Sequence, residues 1–126
     1  MTDTRYRFDI RVTSRFLPDR SDPEQGQFAF AYTVTITNTG QIAAQLISRH
    51  WQIRDGQGEL VEVKGLGVVG HQPLLEPGQS FEYTSGSHLS TPVGSMTGSY
   101  FFVAEDGHRF ESPIPEFSLA VPRALH

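Results

Sequence analysis

Gly65-Leu66-Gly67-Val68-Val69-Gly70 spells G-x-G-x-x-G. In dinucleotide-binding folds that spacing turns a strand tightly into a helix, whose free amides hold a pyrophosphate. The chemistry needs the helix, and the residues that follow, HQPLLEPG, do not supply one. Pro73 removes an amide and biases Gln72 away from helical angles, and Pro77-Gly78 ends any remaining turn. Gly65, Gly67 and Gly70 are therefore read as residues that shape a loop or bend. A nest of amides that holds a small anion without a helix is the functional alternative.

His50, His71 and His88, with Arg49 and the nearby carboxylates, raise the question of a metal. Cobalt favours imidazole nitrogen, and magnesium favours oxygen ligands and water. No two histidines stand at H-x-H or H-x₃-H spacing, so no metal ligands are assigned. His50 and His71 could meet only through the fold, and Asp55, Glu59 and Glu62 surround a hairpin where solvent serves them. If Trp51 points inward, Arg49 shares its side and needs a carboxylate or several carbonyls, while His50 faces the other way. Arg49, His50 and His71 are the candidate ligand or partner contacts. Ser85-Gly86-Ser87-His88 and Ser90-Thr91 offer hydroxyls, but no G-x-S-x-G elbow, positioned base or oxyanion hole accompanies them. They read as turn residues. No catalytic residue is assigned, no cofactor is implied, and no enzyme is expected. Arg5, Arg7, Arg11 and Arg15 form a basic row, read as cross-strand pairing with acidic neighbours or simple edge protection, with an acidic partner as the functional alternative.

The elements that hold these residues are strands. Tyr6, Phe8, Ile10, Val12 and Phe16 alternate with charged residues, and Phe28, Phe30, Tyr32, Val34 and Ile36 alternate with alanine and threonine. Ala43 to Asp55 is a third strand in which Leu46 has the opposite parity to Ile47, Trp51 and Ile53, so either a bulge lies here or both faces are covered. Asp55-Gly56-Gln57-Gly58 marks a hairpin with Glu59 to Val63 as its return strand. Further strands are expected at Phe81 to Tyr83, Gly98 to Val103 and Arg109 to Val121, the last two joined by a turn at Asp106-Gly107. Pro113 and Pro115 make the final segment an edge strand or an interrupted one. No window of helical length carries a 3.6-residue period. About seven strands argue for an all-β, antiparallel two-sheet sandwich of immunoglobulin or fibronectin type III type, with a small closed barrel as the alternative. Trp51 is expected in the inter-sheet core near Tyr32, Val34 and Phe102.

The 126 residues fit one domain, 1–126. At this size roughly two-thirds of the unfolded chain's surface is buried on folding, enough for a core without staples. There are no cysteines, so disulfides and thiolate sites are excluded and a reducing, cytoplasmic setting is expected. The amino terminus, beginning at Met1, shows no signal-like apolar run, and no stretch approaches a membrane span. The formal charge of −4 disfavours nucleic acid as a partner.

LISRHWQI at 46–53, LGVVGHQPLLEPG at 66–78 and FEYTSGSHLSTPVGSMTGSY at 81–100, followed by the terminal SLAVPRAL, together resemble the bacterial ApaG family, also called CorD. The resemblance extends over nearly the whole chain. It implies a fibronectin type III-like sandwich and a loose genetic association with cobalt and magnesium efflux or resistance. Similar domains are appended in eukaryotes to an F-box protein and to a polymerase-interacting mitochondrial protein, which implies a protein-binding module. The family contributes no catalytic residues. The expected function is a non-enzymatic module that presents loops or an edge strand to another protein. The alternative is a small-ligand binder, for a divalent metal or a phosphate compound, in ion homeostasis.

Overall fold

A computed structural model of the chain describes residues 3–122; the end of the SLAVPRAL motif, Arg123 to Leu125, lies outside them. Its strands are β1 (Phe8–Phe16), β2 (Phe28–Asn38), β3 (Ala44–Asp55), β4 (Leu60–Leu66), β5 (Leu74–Leu75), β6 (Ser80–Leu89), β7 (Val93–Ala104) and β8 (Arg109–Ala120). β1-β2-β6 form one sheet and β4-β3-β7-β8 the other, with β5 also paired to β3. Every pairing is antiparallel. The two-sheet sandwich expected from the alternation is what forms, as two separate sheets and not a closed barrel.

Alternation along β2 explains the centre of the molecule. Phe30, Tyr32, Val34 and Ile36 are buried between the sheets. On the outer face, Thr33 meets Thr84 at 2.8 Å, Thr37 meets Ser80 at 2.7 Å, and Thr35 donates to Glu82 at 3.0 Å. These cross-strand pairs hold β6 in register on β2. From the other sheet Trp51, 2% exposed, packs edge-on against Tyr32 at 5.4 Å, Phe117 at 5.9 Å and Tyr100 at 6.2 Å. Phe102, expected beside it, instead stacks on Phe8 at 4.1 Å and Phe110 at 5.3 Å. Truncating a ring buried this fully costs about 3–5 kcal/mol, a large part of the roughly 5–15 kcal/mol available to a domain.

The parity conflict in β3 is a bulge. The register on β7 shifts between Leu46 and Ser48, leaving Ile47 as the extra residue. Leu46 and Trp51 thereby both reach the core. A second shift, between Met96 and Gly98, gives β8 one extra residue at Pro115–Glu116. Both prolines thus sit on an edge strand, where a missing donor costs little.

The seven expected strands all form, and Leu74–Leu75 adds an eighth, of two residues, to β3. Two expectations need correction. β7 begins at Val93, because Gly94 to Met96 pair with Ile53 to Asp55 of β3. Ser85-Gly86-Ser87-His88 is not a turn: it continues β6, opposite Ala29 to Tyr32 of β2. A strong neighbouring strand overrides weak local strand propensity.

β1 runs alongside β8, where the Ser14 hydroxyl donates to the Ser118 carbonyl at 2.8 Å. The chain enters beside the Asp106-Gly107 turn, with Tyr6 stacked 4.0 Å from His108. It leaves at the opposite end, where the Val121 amide donates to the Pro92 carbonyl at 2.9 Å.

Candidate functional site

One flank of the sandwich is sealed by β1 and β8; the other is open. β6 pairs only with β2 and β4 only with β3, so each presents a free edge to that flank. The register pairs Arg49 with Gly65, Trp51 with Val63 and Ile53 with Val61, so these residues share the inner face of the larger sheet. The smaller sheet does not extend far enough to cover β4. Val61 is 58% exposed and Val63 38% although both face inward. Leu60 and Leu66, on the outer face of β4, and Val69, in the turn beyond it, are also exposed.

Between the two edges lie two recesses. One, of about 180 Å³, is lined by Ile53, Asp55, Glu59, Val61, His88 and Leu89. The other, of about 170 Å³, is lined by Tyr32, Arg49, Trp51, Val63, Met96 and the small stretch Ser85-Gly86-Ser87. The Trp51 indole N–H is the one fully buried side-chain donor without an acceptor among the described residues.

Arg49 is held by backbone. Its Nη1 donates to the carbonyls of Leu66 and Gly67, both at 2.9 Å, so two carbonyls serve it and no carboxylate does. A Cβ at Gly65 would lie 2.8 Å from Nη2; the guanidinium packs on bare backbone there. Gly67 adopts φ +64° and its amide donates to the carbonyl of the bulged Ile47 at 2.8 Å. A side chain at Gly67 would strike the His71 carbonyl. Val68 and His71 then exchange backbone bonds of 2.8 and 2.9 Å across a two-residue turn in which Val69 (φ 42°) and Gly70 (φ 83°) are both left-handed. That is the type I′ arrangement. The G-x-G-x-x-G segment is therefore the end of β4 and a tight turn, and no helix begins at it.

His50 lies on the outer face, its Nε2 3.1 Å from the Glu62 carboxylate. The His71 ring lies 5.6 Å from Phe81, and the two histidines line no common recess among those described. No three His, Asp or Glu side chains converge as a metal requires among the described residues. Among the described residues the basic row makes no cross-strand ion pair, and it lies at the edge of its sheet, as edge protection requires. Arg11 bonds Asp9 at 2.9 Å and Arg5 bonds Asp3 at 2.9 Å, each two residues back along its own chain, because the cross-strand positions opposite Arg11 and Arg15 hold Thr35 and Ala31.

Two polar features went unread in the sequence. Tyr83 and Tyr100 share a buried hydroxyl–hydroxyl bond, and burial pushes both phenols well above the ordinary tyrosine range. Neutral in the fold, they contribute stability that is complete below about pH 10 and lost as pH rises toward their raised values. Asn38, 1% exposed, donates to the carbonyls of Ile42 and Leu75 at 3.0 and 2.9 Å and accepts from Gly40 N–H at 2.8 Å. It ties the end of β2 to β5. The Asn-Thr-Gly turn chemistry at 38–40 was the only sequence signal for it.

Comparison with known proteins places this arrangement. A family model described as ApaG domain matches residues 18–104. Protein ApaG of Ralstonia nicotianae is 63% identical over 123 residues, covering 98% of this chain and 99% of that one. Protein ApaG of Dechloromonas aromatica is 59% identical over the full length of both. A crystal structure described as that of an ApaA protein from Bordetella pertussis superimposes with a TM-score of 0.92 at 59% identity, covering 94% of this chain and 97% of that one.

Proposed function

The chain belongs to the ApaG family, and from that premise we propose that it is a non-enzymatic protein-interaction module whose open flank takes up an extended segment of a partner protein. The observation that carries the proposal is the uncovered inner face of β4, with Val61 and Val63 exposed beside the free edge of β6. A constant-type immunoglobulin sandwich fills the position next to the corresponding strand with a fourth strand of its own. A partner strand added there would hydrogen-bond to β6 through its main chain and lay alternate side chains over the two valines. Natural edges are normally blunted by charge, bulges or cover; β4 carries its charges, Glu62 and Lys64, on the outer face, and its inner side presents valines.

The setting we assign is the reducing cytoplasm, in keeping with a cysteine-free chain. The association of the family with cobalt and magnesium efflux enters as a context: the partner would be a protein of ion homeostasis, and the module would act on it without binding the ion. Affinity capture from the native organism, with and without added cobalt, tests this against a Val61→Lys variant. At an exposed strand position this change should alter stability by less than about 0.5 kcal/mol. The wild type should retain a discrete partner regardless of cobalt, and the variant should lose it while melting normally. Equal retention by both proteins, or retention only with cobalt, would refute the proposal.

A further inference from the structure

The free edge of β4 has a sequence complementary to itself. Every residue from Leu60 to Leu66 except Gly65 is exposed. The ladder to β3 runs without a register shift, and no proline interrupts the strand. At one end of that ladder the Asp55 amide donates to the Glu59 carbonyl at 3.0 Å; at the other the Gly67 amide donates to the Ile47 carbonyl at 2.8 Å. Bonded pairs recur at every second residue of an antiparallel ladder, so Val61, Val63 and Gly65 direct their backbone groups to β3. Leu60, Glu62, Lys64 and Leu66 turn theirs to the free edge, and their side chains share the outer face. An antiparallel strand added there bonds to those residues. For a second β4 centred on Val63, the two strands overlap along their whole length. Leu60 then lies opposite Leu66 of the second copy, and Glu62 opposite its Lys64, with both pairs repeated by symmetry. Shifting by two residues in either direction sets Glu62 against Glu62 or Lys64 against Lys64. Unlike charges directly opposite stabilise a strand pair, and like charges destabilise it, so charge selects the centred register.

We propose that β4 pairs antiparallel with β4 of a second copy of this chain, about a two-fold axis at Val63, joining the two larger sheets into one. The contact is isologous, so it closes as a dimer and does not propagate. It uses the outward edge of β4 and leaves the β6 edge and the inner faces of Val61 and Val63 open. The pairing therefore stands whether or not a partner segment docks on the flank. Seven residues a side make a small interface, below about 1,200 Å² in total, where association is weak and reversible.

Sedimentation velocity of the full chain, from about 10 μM to about 1 mM, tests the pairing. The wild type should show a monomer–dimer equilibrium with a Kd below about 500 μM. Glu62→Lys sets lysine against Lys64 of the second copy at both symmetric positions, and Lys64→Glu sets glutamate against Glu62. Each change should weaken association about tenfold or more. Glu62→Lys also lowers the chain's net negative charge, so general repulsion between copies does not account for its loss. Mixing the two variants restores both unlike pairs, and the mixture should form a one-to-one heterodimer with a Kd within about threefold of the wild type's. If one variant fails to fold, the other decides. A wild type that stays monomeric at about 1 mM would overturn the pairing. So would a folded single variant that dimerises as tightly as the wild type, or a mixture that associates no better than its components.

Discussion

At position 67 a methyl group would meet the His71 carbonyl on a backbone already held at φ +64°. A non-glycine residue in such a conformation costs on the order of 1–3 kcal/mol, and in a chain of this size each kcal/mol is about 4 °C of melting temperature. Gly67→Ala should therefore melt at least about 4 °C below the wild type, while millimolar ATP, GTP or NAD should leave the wild-type temperature unchanged. A nucleotide-dependent rise that the substitution abolishes would be the linkage signature of a real nucleotide site and would reverse this reading. Pro73 and Pro77 make the missing helix legible from sequence. What the glycine approaches is not legible, because His71 returns to it only through the turn at Val69-Gly70. Arg49 follows the same pattern. Its type and parity announce that it needs acceptors, but the carbonyls that serve it belong to β4, and only the β3–β4 register brings them there.

Strands reveal a different limit. β2 can be read directly because its inner and outer residues differ in kind. β6 cannot, because Ser85, Gly86, Ser87 and His88 carry the composition of a turn and are held extended by hydrogen bonds to β2. The bulge in β3 lies between these cases: Leu46 and Trp51 on opposite parity call for either a bulge or cover on both faces, and do not say which or where. Ile47 is that irregularity, and its carbonyl also receives the Gly67 amide and the Gln72 side chain, at 2.8 and 2.9 Å. Deleting Ile47 would restore a regular ladder while rotating Ala44 and Leu46, now 1% and 0% exposed, to the solvent face. We expect the deletion to cost more than about 4 kcal/mol, a range reached only by a short list of disruptive changes, among them loss of core packing. Thermal melting followed by circular dichroism would measure it, and a melting curve close to wild type would show that the bulge is incidental.

For the molecule as a whole, the sandwich class follows from counting alternating segments, but the sheet order does not. The unequal widths of the sheets leave β4 uncovered on one flank while β1 and β8 close the other, and that asymmetry depends on which strands become neighbours. Both the strand-docking flank and the free β4 edge follow from it. The placement of the two ends of the described residues, Asp3 and Pro122, follows from the same topology. The chain enters beside the Asp106-Gly107 turn and leaves beside Pro92, at the two ends of β7, whose twelve residues at about 3.3 Å each span on the order of 35 Å. In a tandem array the domain would behave as a link that carries the chain from one pole to the other, loaded lengthwise, and not as a pendant inserted into a host loop. Circular permutation tests this. Joining Asp3 to Pro122 should require a linker of at least about ten extended residues. A permutant with a three-residue linker should fail to fold, one with fourteen should melt cooperatively, and folding by the short-linker form would mean that the two ends lie on the same side.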